Sequence, residues 1–245
     1  MNNYKKWGLI CSASLFTFAI ISSAFFSGVR LTGGVSETLG RVFTYASWSA
    51  GKQGFLITTA LFCLIPFVLK WPRKKVLTML MCFGVVLGAS FVTKTVVKRL
   101  TQEPRPYTQT LAELGKVPSA EAFYQGTPAS RDEILSTASH DISPWRMMHW
   151  KGETNYSFPS GHTIFAAAAA IFWGAILMVE GYRVLGWLVV GWSGIVAASR
   201  MWLGMHWSID VFASIGFAAI ICSAVYASAN RLNRMLKRRM DETTL

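Results

Sequence analysis

The sequence predicts an all-α integral membrane protein with six transmembrane helices and an extracytoplasmic loop subdomain between the third and the fourth. Three observations carry that prediction. Hydrophobic residues make up 52% of the chain and charged residues only 15%, where a soluble domain carries about a quarter charged residues. Uncharged runs recur at lengths close to the roughly 20 residues that a helix needs to cross a bilayer. The basic residues behind the net charge of +12 gather beside those runs, as membrane-flanking segments do. A charge of that size could also serve nucleic acid, but no recognition motif accompanies it, so nucleic acid is not an expected partner.

The elements follow in order. Residues 7–26, after Lys5 and Lys6, form the first run. A secretory signal has a shorter apolar core of about 7–15 residues, so this stretch reads as a retained first helix, although Ser22, Ser23 and Ala24 form a weak cleavage site. Residues 27–52, mixed in Gly, Ser and Thr, read as a loop. Residues 53–69 make a second span that is only just long enough, with Pro66 near its end, where it is tolerable. Lys70, Arg73, Lys74 and Lys75 then crowd together as a positive-inside marker.

Residues 76–93 form the third span and 161–179 the fourth, whose alanine block from Ala166 to Ala170 suits close helix packing. A tight turn from Glu180 to Arg183 leads to the fifth span at 184–199, and the sixth covers 211–229. The tail that follows, with Arg231, Arg234, Lys237, Arg238 and Arg239, reads as a cytoplasmic flank. The loop subdomain at 100–158 is too short for a dependable core of its own. It is expected to lie over the site as short helices, with 118–124 and 131–139 as candidates and Trp145 and Trp150 at headgroup level. Cys11, Cys63, Cys82 and Cys222 all fall inside apolar runs without metal-ligand spacing, and read as small hydrophobes.

Six spans put both termini on one side. Lysines and arginines divide equally between the two faces, but those on the terminal face sit in short segments, where the positive-inside rule is strong. Both termini are therefore expected in the cytoplasm. Three polar motifs then fall at the outer ends of four helices: Lys98 to Pro106, Pro159 to His162, and Ser199 to Asp210. Segments more than 100 residues apart converge without adjustment.

The residue types in those motifs suit phosphoryl chemistry. Lys98, Arg105 and Arg200 are cations with few acidic neighbours, Glu103 being the nearest in sequence. A guanidinium fork matches two phosphate oxygens, and lysine adds a point charge. Ser160 and Gly161 open a helix whose free N–H groups make an anion site, and donors placed at developing charge can each contribute roughly 3 kcal/mol. If Asp210 begins a helix, it can reach one ring nitrogen of His206 and leave the other a free lone pair, as a nucleophilic or metal-binding imidazole requires. With His162 opposite, one imidazole can attack phosphorus while the other protonates the leaving oxygen.

Each feature has a plainer reading. Ser160 could be only a helix cap, and Arg200, Lys94 and Arg99 could be snorkelling anchors. His206 with Asp210 could be a structural hydrogen bond or half of a metal site, but no third and fourth ligands are evident. His149 with Glu153 is the only similar pair, and His140 has no such partner. No metal and no cofactor are therefore expected.

Lys98 with Arg105-Pro106, the tract Pro159-Ser160-Gly161-His162, and Ser199-Arg200 followed by His206 and Asp210 resemble, in order and spacing, the three-part signature of the type 2 phosphatidic acid phosphatase family. The resemblance implies a metal-independent lipid phosphatase with a six-helix core. It implies that His206 is the nucleophile, Asp210 its orienter and His162 the acid/base, with Lys98, Arg105, Ser160, Gly161 and Arg200 binding phosphate. It further implies a bacterial inner membrane, a site facing the periplasm, and a lipid phosphate as substrate: phosphatidylglycerophosphate, undecaprenyl diphosphate, phosphatidate or diacylglycerol diphosphate. The bilayer is the expected surrounding, and no obligate protein partner is implied. The soluble haloperoxidases of the same family are disfavoured by a mean hydropathy of +0.37. The alternative function is a membrane protein that binds or translocates lipid phosphates without turnover, for which two histidines and Asp210 would be superfluous.

Overall fold

The computed structural model describes residues 3–26 and 28–242, with side chains up to residue 228. The basic tail from Arg231 to Arg239 therefore lies outside the described side chains. In chain order the helices are α1 (Asn3–Phe26), α2 (Glu37–Ala50), α3 (Phe55–Val68), α4 (Arg73–Thr101), α5 (Pro106–Glu113), α6 (Pro128–Thr137), α7 (Pro144–Trp150), α8 (Gly161–Val179), α9 (Arg183–Trp202) and α10 (Ser208–Glu242). Among the described residues, five helices are long and apolar enough to cross a membrane, and a sixth span results if the bent pair α2 and α3 is counted as one. The chain is an all-α integral membrane protein.

Helix α8 is the axis of the bundle. Ala166 to Ala170 are completely buried, because a methyl group is all that the neighbouring helices leave room for. Around it, Leu15 and Cys11 of α1, Phe83 and Val86 of α4, Val190 of α9 and Val211, Ile215 and Cys222 of α10 complete the main apolar cluster. Outward-facing side chains are apolar as well, among them Leu56, Leu61 and Phe67 of α3 and Val85, Phe91 and Val92 of α4. Surfaces of that kind are stable against lipid rather than water. At the end of the bundle away from the polar motifs, Lys75 of the basic cluster pairs with Glu180, and the Tyr4 hydroxyl donates to the same carboxylate at 3.1 Å.

Two expectations need correction. The stretch read as a loop at 27–52 contains α2, and the second span, present as α3 within the expected 53–69, is too short to cross alone. Helix α3 has 14 residues, about 21 Å at 1.5 Å per residue, which is short of a hydrocarbon core of about 30 Å. It joins α2 across a 70° bend at residues 51–54. The helix was hidden because its buried stripe, Gly40, Phe43, Thr44, Ser47 and Ala50, has helical spacing but largely small and polar residues, which composition assigns to a loop.

The other correction concerns Trp150 in the loop subdomain, whose core is shared with the bundle, as a segment too short for one of its own requires. Tyr107, Leu111, Phe123, Leu135, Ile142 and Trp150 pack with Phe43 of α2 and with Trp202, Leu203 and Met205 at the end of α9. Borrowing residues from the bundle is what makes so short a segment able to bury them. Its local helices are α5, a 3-10 turn at Ala122–Gln125, α6 and α7. Trp150 is fully buried instead of lying at headgroup level: its ring stacks on Tyr107 at 4.9 Å and its Nε1–H donates to the Leu203 carbonyl at 2.7 Å. Trp145 is half-buried and donates to Glu37 at 2.9 Å. Trp150→Ala should therefore destabilise the fold by about 3–5 kcal/mol, read as a lowered melting temperature in detergent. An unchanged melting temperature would show that the subdomain is not anchored there.

Candidate active site

The polar motifs meet at one end of the bundle because four helix ends meet there: the last turns of α4 and α9 and the first turns of α8 and α10. Asp210, in the first turn of α10, is fully buried, where the positive end of the helix dipole favours a carboxylate. Its Oδ2 lies 3.1 Å from Nδ1 of His206 and accepts the Trp207 N–H at 3.0 Å. The opposite ring nitrogen of His206, Nε2, stands 3.3 Å from Nη1 of Arg105. Burial, reinforced by the charges of Arg105 and Arg200, holds His206 well below the usual imidazole range. One ring nitrogen is tied to a carboxylate and the other faces a guanidinium.

Ser160 caps α8: its Oγ accepts the Thr163 N–H at 3.3 Å and the Thr163 hydroxyl at 2.9 Å. Its own N–H donates to Ser214 Oγ of α10 at 2.9 Å. Gly161 and His162, at the first two helical positions, have N–H groups with no acceptor inside the helix. A Cβ at Gly161 would stand 2.8 Å from Cδ of Lys94, so the Lys94 stem runs along the start of α8. Arg99, by contrast, is exposed, as an interfacial anchor would be.

The three cations converge. Arg105 is 3% exposed and donates from Nε to the Asn155 carbonyl at 2.7 Å and from Nη1 to the Met205 carbonyl at 2.8 Å. Lys98 donates to the carbonyls of Tyr156 and Ser157. Arg200 is completely buried; Nη1 donates to Ser47 of α2 and Nη2 to Glu153 at 2.8 Å. Its Nε is buried with no partner among the described residues. An unpaired buried guanidinium N–H is costly.

Four contributors escaped the sequence reading. Glu153 joins two predicted site residues, with Oε1 3.7 Å from His162 Nε2 and Oε2 on Arg200. Burial opposes its charge, but Arg200, His162, Arg105 and His149 together hold its carboxyl well below the usual range. The available signal was that Glu153 is the one acidic residue between Asp141 and Glu180, so it is the natural counter-charge for a cluster of cations. Asn155 and Ser47 gave no signal. Gly51, at the bend between α2 and α3, is required sterically, because a Cβ there would stand 2.4 Å from Nε2 of His162. Gly51→Ala should lower turnover by about a hundredfold, the usual cost of moving a reacting group by about 1 Å, while the melting temperature holds. Normal turnover would show that His162 has room to spare.

Two cavities open on the cluster. One of about 300 Å³ touches His162 and is mostly apolar, lined by Phe55, Leu87, Phe91, Lys94 and Phe165. The other, of about 570 Å³, touches His206 and is lined by Arg30, Gln109, Glu113 and Trp207.

Residues 79–234 match the family model described as the PAP2 superfamily. The chain belongs to the PAP2 superfamily. Among the relatives of this PAP2 protein is a phosphatidylglycerophosphatase B of Haemophilus influenzae, 37% identical over 181 residues, covering 70% of this chain and 74% of that one. The phosphatidylglycerophosphatase B of Escherichia coli is 28% identical over 188 residues, 67% of this chain and 72% of the other. A shorter match, 38% identical over 65 residues, joins 26% of this chain to 31% of the undecaprenyl-diphosphatase BcrC of Bacillus subtilis. The present PAP2 protein is a lipid phosphate phosphatase.

Proposed function

We propose that this enzyme dephosphorylates membrane lipid phosphates without a metal ion, through a phosphohistidine on His206, at the periplasmic face of a bacterial inner membrane with both termini in the cytoplasm. The single observation that carries the reading is the His206 ring held between Asp210 at 3.1 Å and Arg105 at 3.3 Å. Asp210 fixes the proton on Nδ1, and the Nε2 lone pair faces the groups that bind phosphate.

The phosphoryl group binds to Lys98, Arg105 and Arg200, with the N–H groups at the start of α8 as further donors; Ser160 holds that helix end in place. The Nε2 lone pair of His206 attacks phosphorus, and the bond from phosphorus to the lipid oxygen breaks as His162 gives that oxygen a proton. Water then attacks the phosphohistidine, with its proton passing to His162. Inorganic phosphate leaves, and both histidines return to their starting states.

The lipid is held by the apolar cavity beside His162, while the larger cavity of mixed lining beside His206 admits water. The relatives' names favour phosphatidylglycerophosphate, with undecaprenyl diphosphate, phosphatidate and diacylglycerol diphosphate as further substrates of the same chemistry.

The test is phosphate release from each of the four lipids by purified protein in excess chelator. Undiminished release is the expected result. Activity lost with chelator and restored by a divalent cation would contradict the metal-free mechanism.

A further inference from the structure

The three central cations are all engaged by one short stretch of chain. Arg200 is held by Glu153, Arg105 by the backbone and side-chain oxygens of Asn155, and Lys98 by the carbonyls of Tyr156 and Ser157. Only Glu153 brings a charge to them. Its carboxylate makes the same demand on a guanidinium that a phosphate does, and it bridges the two groups, Arg200 and His162, that face a bound phosphoryl group. Leaving Arg200 buried without any anion would be strongly unfavourable, and Glu153 supplies that anion. The carboxylate hangs from a turn: Gly152 just before it has φ +73° and is tied by its N–H to Asp132 at 3.0 Å.

We infer that Glu153 is the internal competitor of phosphate. It occupies Arg200 and His162 between turnovers, yields to the phosphoryl group of an arriving lipid, and returns as inorganic phosphate leaves. The open Nε of Arg200 gives the incoming oxygen its first foothold while Glu153 still holds Nη2. Two anions then share one guanidinium, and their repulsion drives the exchange in whichever direction the phosphate concentration dictates. Glu153 thereby determines how firmly the enzyme retains its product. The inference rests on reading Arg200 and His162 as phosphate-site residues.

The experiment measures inhibition of lipid phosphate hydrolysis by inorganic phosphate in the wild type, Glu153→Gln, Glu153→Ala, Glu153→Asp and Arg200→Lys. Either of the first two variants suffices if the other does not fold. Loss of the charge should lower the inhibitory phosphate concentration by about tenfold or more, with KM and kcat falling together as release slows. Glu153→Asp, which keeps the charge, should stay near the wild type. Unchanged or weaker inhibition in the charge-free variants overturns the role of Glu153; if Arg200→Lys weakens inhibition in the same series, the phosphate site itself stands. If Arg200→Lys also leaves inhibition unchanged, both readings fall.

Discussion

His206→Ala is expected to remove turnover almost completely, by about 10⁴-fold or more, because the group proposed to attack phosphorus is lost. The side chain is 3% exposed and tied to Asp210, so its loss leaves a small void and a carboxylate short of one partner. A drop in melting temperature is therefore expected alongside. Binding of lipid phosphate should survive, since the cations and the apolar cavity are untouched. A variant that still bound lipid and turned it over at a near-normal rate would show that another group makes the bond to phosphorus.

Asp210→Asn should have the second largest effect, about 10²–10⁴-fold on kcat with nearly the same fold. The substitution preserves shape but replaces an acceptor with an amide that can offer its NH₂ to Nδ1. The imidazole can then place its proton on Nε2, the nitrogen that faces Arg105 at 3.3 Å, and the lone pair needed for attack is gone. Because Oδ2 also accepts the Trp207 N–H at 3.0 Å, the turn into α10 loosens as well. Measuring kcat and KM separately distinguishes the two effects: a wrong tautomer lowers kcat, while a displaced turn raises KM too. Wild-type kcat in this variant would remove Asp210 from the account.

The sequence made the membrane class, the main spans and the meeting of distant polar motifs legible, since each rests on local signals: uncharged runs of spanning length, or cations and imidazoles beside helix ends. The match of Lys98, Arg105, Ser160, Gly161, His162, Arg200, His206 and Asp210 to a family signature added roles that spacing alone left open. What stayed hidden was non-local. Helix α2 buries Thr44 and Ser47 because Ser47 serves Arg200, a partner 153 positions away. Trp150 looked interfacial because an amphipathic ring is common there, whereas its N–H is satisfied by a carbonyl at the end of α9. Gly51 carries no motif, and its importance is only the space it leaves for His162. Glu153 was legible only as the i, i+4 partner of His149, because its contacts with Arg200 and His162 come from the loop past the end of α7.

Rapid quenching of the enzyme at alkaline pH, during hydrolysis of a lipid labelled in its terminal phosphate, tests the central claim most directly. Label is expected on the peptide containing His206, stable to alkali and released by acid, and absent from His206→Ala. Label on a different residue, or turnover with no covalently bound label under conditions that trap an acid-labile phosphoryl group, would contradict it.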